Sequence, residues 1–209
     1  TLVGPAMGSE RQPPRPTLRS VVLLTLSAAC ALAWPGAGLV RADDVSVPIS
    51  LQVDLLGRVA AYEQRYASQP NAEAVVLIVV RRGHTESVRA AGQIEAGIRR
   101  NATLGGRRVR TVQHSYSNAA TLRAAVDSNE AAIAYLTPGL GDQAGGVASA
   151  LVGAPVMTVS AVGSDAERGI VLSFELVAAR PTLVVNLPQA RRQGVVFSSQ
   201  LLRLARVIQ

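Results

Sequence analysis

The run "AVVLIVV", Ala74 to Val80, is unbroken, apolar, rich in β-branched residues and of strand length. A strand with one wet face alternates apolar and polar residues; one that is apolar throughout must be covered on both faces. That requirement places it in the middle of a parallel sheet flanked by helices. Before it, "LQVDLLGRVAAYEQRY" spaces Leu51, Leu55, Val59, Tyr62 and Tyr66 at helical steps, with Ser50 as N-cap and Gln69, Pro70 and Asn71 as the stop. After it, "RRGHTESVRAAGQIEAGIRR" reads as a turn and a helix with Val88, Ala91, Ile94 and Ile98 on one face. "RRVRTVQHSY" then alternates as a strand nearer an edge. The alternation continues through a helix at Asn118–Ser128, a strand at Ala131–Leu136, the loop "TPGLGD", a helix in "QAGGVASALVG" and a strand at Val156–Ser160. Strand and helix in turn at this spacing predict right-handed βαβ units.

Beyond Ser160 the pattern changes. Two apolar runs, Ile170–Leu176 and Thr182–Asn186, are separated by a short turn and predict a β-hairpin. A helical turn at "QARRQG" follows, entered near Pro188 and ended by Gly194. "SSQLLRLARV" then predicts a terminal helix, capped by Ser198 or Ser199, with Leu201, Leu202, Leu204, Ala205 and Ile208 toward the core and Arg203 and Arg206 toward water. The expected fold is a single three-layer α/β/α sandwich, with a mostly parallel sheet, a C-terminal hairpin and a terminal helix.

The first 42 residues read differently. Arg11, Arg15 and Arg19 lie among prolines ahead of "SVVLLTLSAACALAW", Ser20 to Trp34, and small residues at Val40 and Ala42 precede an acidic start. That is the layout of a secretory signal peptide cleaved after Ala42, because the apolar run breaks at Pro35 before the roughly 18–20 residues that span a bilayer. Cys30 falls inside this leader and is the chain's single cysteine, so the expected mature domain, residues 43–209, holds no disulfide or thiolate metal site and depends on its core. That domain is long enough to bury roughly 70% of its unfolded surface. The whole chain carries +7, and removal of the leader leaves a milder positive charge, all of it arginine. With aromatics at 3% of the chain, the basic, stacking surface of a nucleic-acid binder is not expected.

Catalytic equipment is sparse. His84 and His114 are the two histidines, and the chain has no G-x-S-x-G elbow, no P-loop lysine and no H-E-x-x-H helix. No catalytic residue, metal or cofactor is expected. The loop "TPGLGDQAGG" joins a strand to a helix at the carboxyl edge of the sheet, where doubly wound folds bind ligands. It reads two ways: as an anion or small-molecule site built from Thr137, Gly139, Gly141 and Asp142 with Arg81 from the neighbouring loop, or as a tight turn that needs its proline and glycines. The pairs Arg99–Arg100 and Arg107–Arg108, either side of "NATLGG", read as a solvated rim or as a patch for an acidic partner.

The stretch Arg168 to Ile208, "RGIVLSFELVAARPTLVVNLPQARRQGVVFSSQLLRLARVI", resembles the closing signature of the YfiR/HmsC-like family of secreted bacterial proteins. The matching positions are Gly169, Asn186, Ala190, Arg191, Ser198, Ser199, Gln200, Leu201, Leu202, Leu204 and Ala205. The resemblance implies a periplasmic, non-catalytic regulator that holds the periplasmic segment of an inner-membrane diguanylate cyclase inactive, lowers cyclic-di-GMP and biofilm formation, and forms homodimers. It also implies a terminal helix packed on the sheet. Asn186, at a strand end just before Pro188, is expected to satisfy local backbone groups. The family's disulfide cysteines and its first helix ending in Trp-Pro have no counterpart here. The alternative is a periplasmic small-molecule or anion sensor with no cyclase partner.

Overall fold

A computed structural model describes residues 47–69 and 72–209; the expected leader and its cleavage point lie outside them. The decisive run forms β1, Ala74–Arg81, and every residue from Ala74 to Val80 is buried. Its side chains divide by parity. Val76 and Ile78 face α1 (Ile49–Ala61) and α3 (Thr85–Asn101), while Leu77 and Val79 face α4 (Ala119–Ser128) and α5 (Ala144–Ala150). Each such aliphatic side chain contributes about 1.5–3 kcal/mol by leaving water.

β1 pairs in parallel with β3 (Arg107–Tyr116) on one side and β4 (Ile133–Leu136) on the other. β5 (Met157–Ser160), the antiparallel hairpin β6 (Leu172–Val177) and β7 (Arg180–Asn186), and β8 (Ala205–Ile208) extend the sheet beyond β4. A two-residue β2 (Thr103–Leu104) turns back on the start of β3, so the eight strands run β2-β3-β1-β4-β5-β6-β7-β8. The chain leaves β1 first toward β3 and then crosses to β4, so the strand order reverses at the β1/β4 boundary. Sheet and helices form the expected α/β sandwich.

Local expectations fail in four places. The first helix starts at Ile49 behind Pro48 without a side-chain cap, so Ser50 is not its N-cap. It also stops at Ala61: Glu63 is extended, bridges to Phe197, and caps the separate turn α2 (Gln64–Ala67), leaving Tyr62 partly exposed. In α3, Ser87 rather than Val88 takes the inward position one turn ahead of Ala90 and Ala91, and Val88 is 56% exposed. The predicted terminal helix lasts one turn, α7 (Ser199–Leu202), and the chain then extends as β8 beside β7.

That last departure has a physical cause. "LARVI" satisfies strand alternation as well as helical spacing, and only the strand pairs with the open edge of β7. It also places Arg206 where its guanidinium grips both carboxylate oxygens of Glu175 at 2.9 and 3.0 Å and reaches Glu167 at 3.3 Å. Leu201 is buried, Leu202 packs against the core, and Leu204, expected inside, is 73% exposed at the turn between helix and strand.

Candidate functional site

At the β1/β4 boundary the fold brings the predicted loops together. Thr137 follows β4 and is buried; its hydroxyl donates to the Val79 carbonyl at 2.7 Å and lies 2.5 Å from Ser87 Oγ, which accepts the Arg81 amide at 2.7 Å. His84 caps α3 by accepting the Ser87 amide on Nδ1 at 3.2 Å. Its ring lies against Gly139, where φ is +92° and a Cβ would stand 3.0 Å from the imidazole, so this position requires glycine. Arg81 donates to the Gly139 carbonyl and to Asp142 at 3.2 Å.

Gly141 is held by a second arginine. Arg168 donates to its carbonyl at 2.9 Å and to Asp165 at 3.4 Å, and the buried Asp165 carboxylate also accepts from Ser160 Oγ at 2.6 Å. The loop from Thr137 to Asp142 is therefore an internally bonded rim. A short 3-10 turn, Gly141–Gln143, leads directly into α5, a seven-residue helix. The one contact a ligand displaces cheaply is Arg81–Asp142: both side chains are about half exposed, and such pairs contribute at most about 1 kcal/mol.

The opposite, amino edge of the sheet carries what the sequence reading missed. A cavity of about 490 Å³ opens there, lined by Tyr66, Arg107, Pro155, Met157 and Val195 among others. Arg107, read as part of a solvated rim, is 5% exposed. It donates to the carbonyls of Ala72 at 3.0 Å and Tyr66 at 3.3 Å, and its guanidinium sits 4.5 Å from the Tyr66 ring centroid. Burial pushes the Tyr66 phenol up to about 12, with Arg107 pulling it partly back. The buried Glu63 carboxylate accepts the amides of Arg65, Tyr66 and Val196, tying the α1–α2 corner to a segment distant in sequence. Strand alternation was the usable signal, since Arg107 shares the parity of Val109 and Thr111.

The signature residues run from the turn before β6 to β8. Gly169 has φ +102° and a Cβ there would meet Ala148 at 2.7 Å. Asn186 caps α6 (Leu187–Arg192) by accepting the Gln189 amide at 2.9 Å and donates to Ala166 O at 2.8 Å. Ala190 is buried and Arg191 exposed; Ser198 caps α7 through the Leu201 amide at 3.3 Å; Ser199 and Gln200 face solvent; Ala205 opens β8. The two histidines are not neighbours in a metal set: among the described residues no three His, Cys, Asp or Glu side chains group to hold an ion. His114 Nε2 is buried with no partner among the described residues, and burial lowers its pKa.

A sequence model of the YfiR/HmsC-like family matches residues 50–206. No curated protein matches the chain. Among solved structures, a conserved domain protein from Vibrio cholerae shares 15% identity over 79% of this chain and 61% of that one, at a TM-score of 0.58. A ligand-free substrate-binding protein with adhesive properties from Clostridium difficile shares 11% identity over 78% and 60%, at 0.53. A Streptococcus pneumonia domain solved in complex with L-Trp shares 12% over 77% and 62%, at 0.55. The chain spans about three fifths of the length of these structures, and at such identities the likeness is one of fold. No helix among the described residues is long and apolar enough to cross a membrane.

Proposed function

The chain belongs to the YfiR/HmsC-like family, whose members are periplasmic and generally non-catalytic regulators, and on that premise we propose that it represses an inner-membrane diguanylate cyclase by contact with that enzyme's periplasmic segment. Repression lowers cyclic-di-GMP and biofilm formation, and the regulator acts as a homodimer delivered by its N-terminal signal peptide. The observation that carries the reading is the family match, which extends from α1 into β8 and so covers nearly all of the described domain rather than the C-terminal signature alone. The test is co-purification with the periplasmic segment of a cyclase encoded beside this chain, followed by cyclic-di-GMP measurement in cells with and without the regulator. Stable association and raised cyclic-di-GMP on deletion are expected; two folded partners that do not associate overturn it.

A second reading rests on the gathering of Arg81, Gly139 and Asp142 at the point where strand order reverses. Here a small anion replaces Asp142 at Arg81 and uses Thr137, Gly139 and Gly141 as its framework, and the protein is a periplasmic sensor. A thermal-shift screen of anions and metabolites separates the readings, since a ligand that binds only the folded state raises the melting temperature. A ligand whose effect disappears in Arg81→Gln supports the sensor.

A further inference from the structure

β3 is ten residues long, yet β2 covers only Arg107 and Arg108. From Val109 to Tyr116 its one strand partner among the described residues is β1. Which backbone groups are left over follows from the register. Val75 and Val79 of β1 accept the amides of Ala132 and Thr137 on the β4 side, so Ala74, Val76, Ile78 and Val80 point toward β3. In a parallel ladder a residue's N–H and C=O point to the same side and alternate along the strand. With Val76 opposite Thr111, the β3 residues bonded to β1 are Arg110, Val112, His114 and Tyr116. Val109, Thr111, Gln113 and Ser115 therefore direct both amide and carbonyl away from the sheet, and no other described group bonds to them.

Natural sheets guard such an edge by keeping it short, bulging it, covering it, or placing proline or charged side chains along it. β3 contains no proline and no acidic residue, and its register with β1 runs without a bulge from Val109 to Tyr116. Its charge is of one sign. Arg108 forms no ion pair among the described residues, and Arg110, two residues on along the strand, is only loosely matched by Glu73 at 3.8 Å.

We propose that this edge docks an extended, acidic segment of a partner protein, which adds as a ninth strand beside β3 and sets its carboxylates against Arg108 and Arg110. The main-chain ladder supplies the affinity and the arginines select the partner by charge. The proposal is independent of whether that partner is the cyclase segment.

The test uses the full chain and a synthetic peptide of about ten residues alternating glutamate with valine or threonine, with a lysine-for-glutamate peptide as control. Backbone amide exchange is read residue by residue. In the free protein the amides of Arg110, Val112, His114 and Tyr116 exchange slowly and those of Val109, Thr111, Gln113 and Ser115 quickly. Saturation with the acidic peptide slows the second set at least tenfold, and the lysine peptide does not. Arg108→Glu weakens binding about fivefold. Gln113→Pro, whose lost N–H faces outward, abolishes binding and keeps the first set protected. Fast exchange at Val109, Thr111, Gln113 and Ser115 throughout the titration, or protection of a different segment, overturns the proposal and leaves the arginines as guards of the edge. Protection of the same amides that rises with protein concentration and without peptide also overturns it, and gives the edge to a second copy of this chain.

Discussion

The two outer margins of the sheet are built on opposite plans. β8 is four residues long, is preceded by an exposed leucine, and is clamped from the side by Arg206 on Glu175 and Glu167. β3 is ten residues long and nearly uncovered, and its charged side chains answer no carboxylate on the strand itself. Both margins share one parallel core, so the core does not set the difference. It lies in what each edge strand does with its arginines: on β8 the guanidinium closes the structure, whereas on β3 Arg107 turns inward and Arg108 and Arg110 stay out.

The contrast is most severely tested under β8. Leu201 is the buried residue of α7 that anchors the terminal strand, so Leu201→Ala is expected to cost about 2–4 kcal/mol in denaturant unfolding and to free the amides of β8 before those of β1. A loss under 1 kcal/mol shows that β8 is held by its edge pairing and clamp alone. At the foot of β3, Arg107→Met retains the apolar stem but leaves the Ala72 carbonyl without its donor and takes one of several from the Tyr66 carbonyl; a loss of about 2 kcal/mol is expected. The same variant removes the cation that restrains Tyr66, so the phenol, at about 12 in the parent, must ionise at still higher pH in a spectrophotometric titration.

Arg206→Gln is the milder change. The Arg206 side chain is 41% exposed, so the expected loss is about 0.5–1 kcal/mol and shrinks as salt is added. A loss that is independent of salt assigns Arg206 a packing role instead. The smallest effect concerns His114 on β3. Its folded pKa is lowered by burial, so the unfolded chain binds the proton more readily. The stabilisation is present above the unfolded value near 6.5 and is lost as pH falls through that value toward the lower folded one. His114→Gln flattens this part of the stability–pH curve, and an unchanged slope shows that the imidazole is hydrated in the folded protein.

The parallel half of the fold was legible because its strands are buried on both faces, and a run such as Ala74–Val80 has no other stable surroundings. The hairpin was legible for a different reason: its two apolar runs are close and separated by a turn. The last segment was misread because "LLRLARVI" fits two periods, and the choice between them is made by β7 and Glu175, far away in sequence. The candidate site divides similarly. Placing the loops of Arg81 and Thr137–Asp142 at one sheet edge follows from the βαβ pattern. That Arg81 and Arg168 would themselves occupy the carbonyls of Gly139 and Gly141 does not, since it depends on side-chain reach across loops. The burial of Arg107 was hidden by its neighbour: in an arginine pair on a strand one residue points in and one out, and charge alone does not tell which.

Glu63 has a consequence for the order in which this protein takes shape. Its carboxylate waits for the amide of Val196, and Phe197 bridges back to Glu63. During synthesis the ribosome must produce more than a hundred further residues before that corner can lock. A nascent chain therefore leaves the corner between α1 and α2 open for most of its elongation.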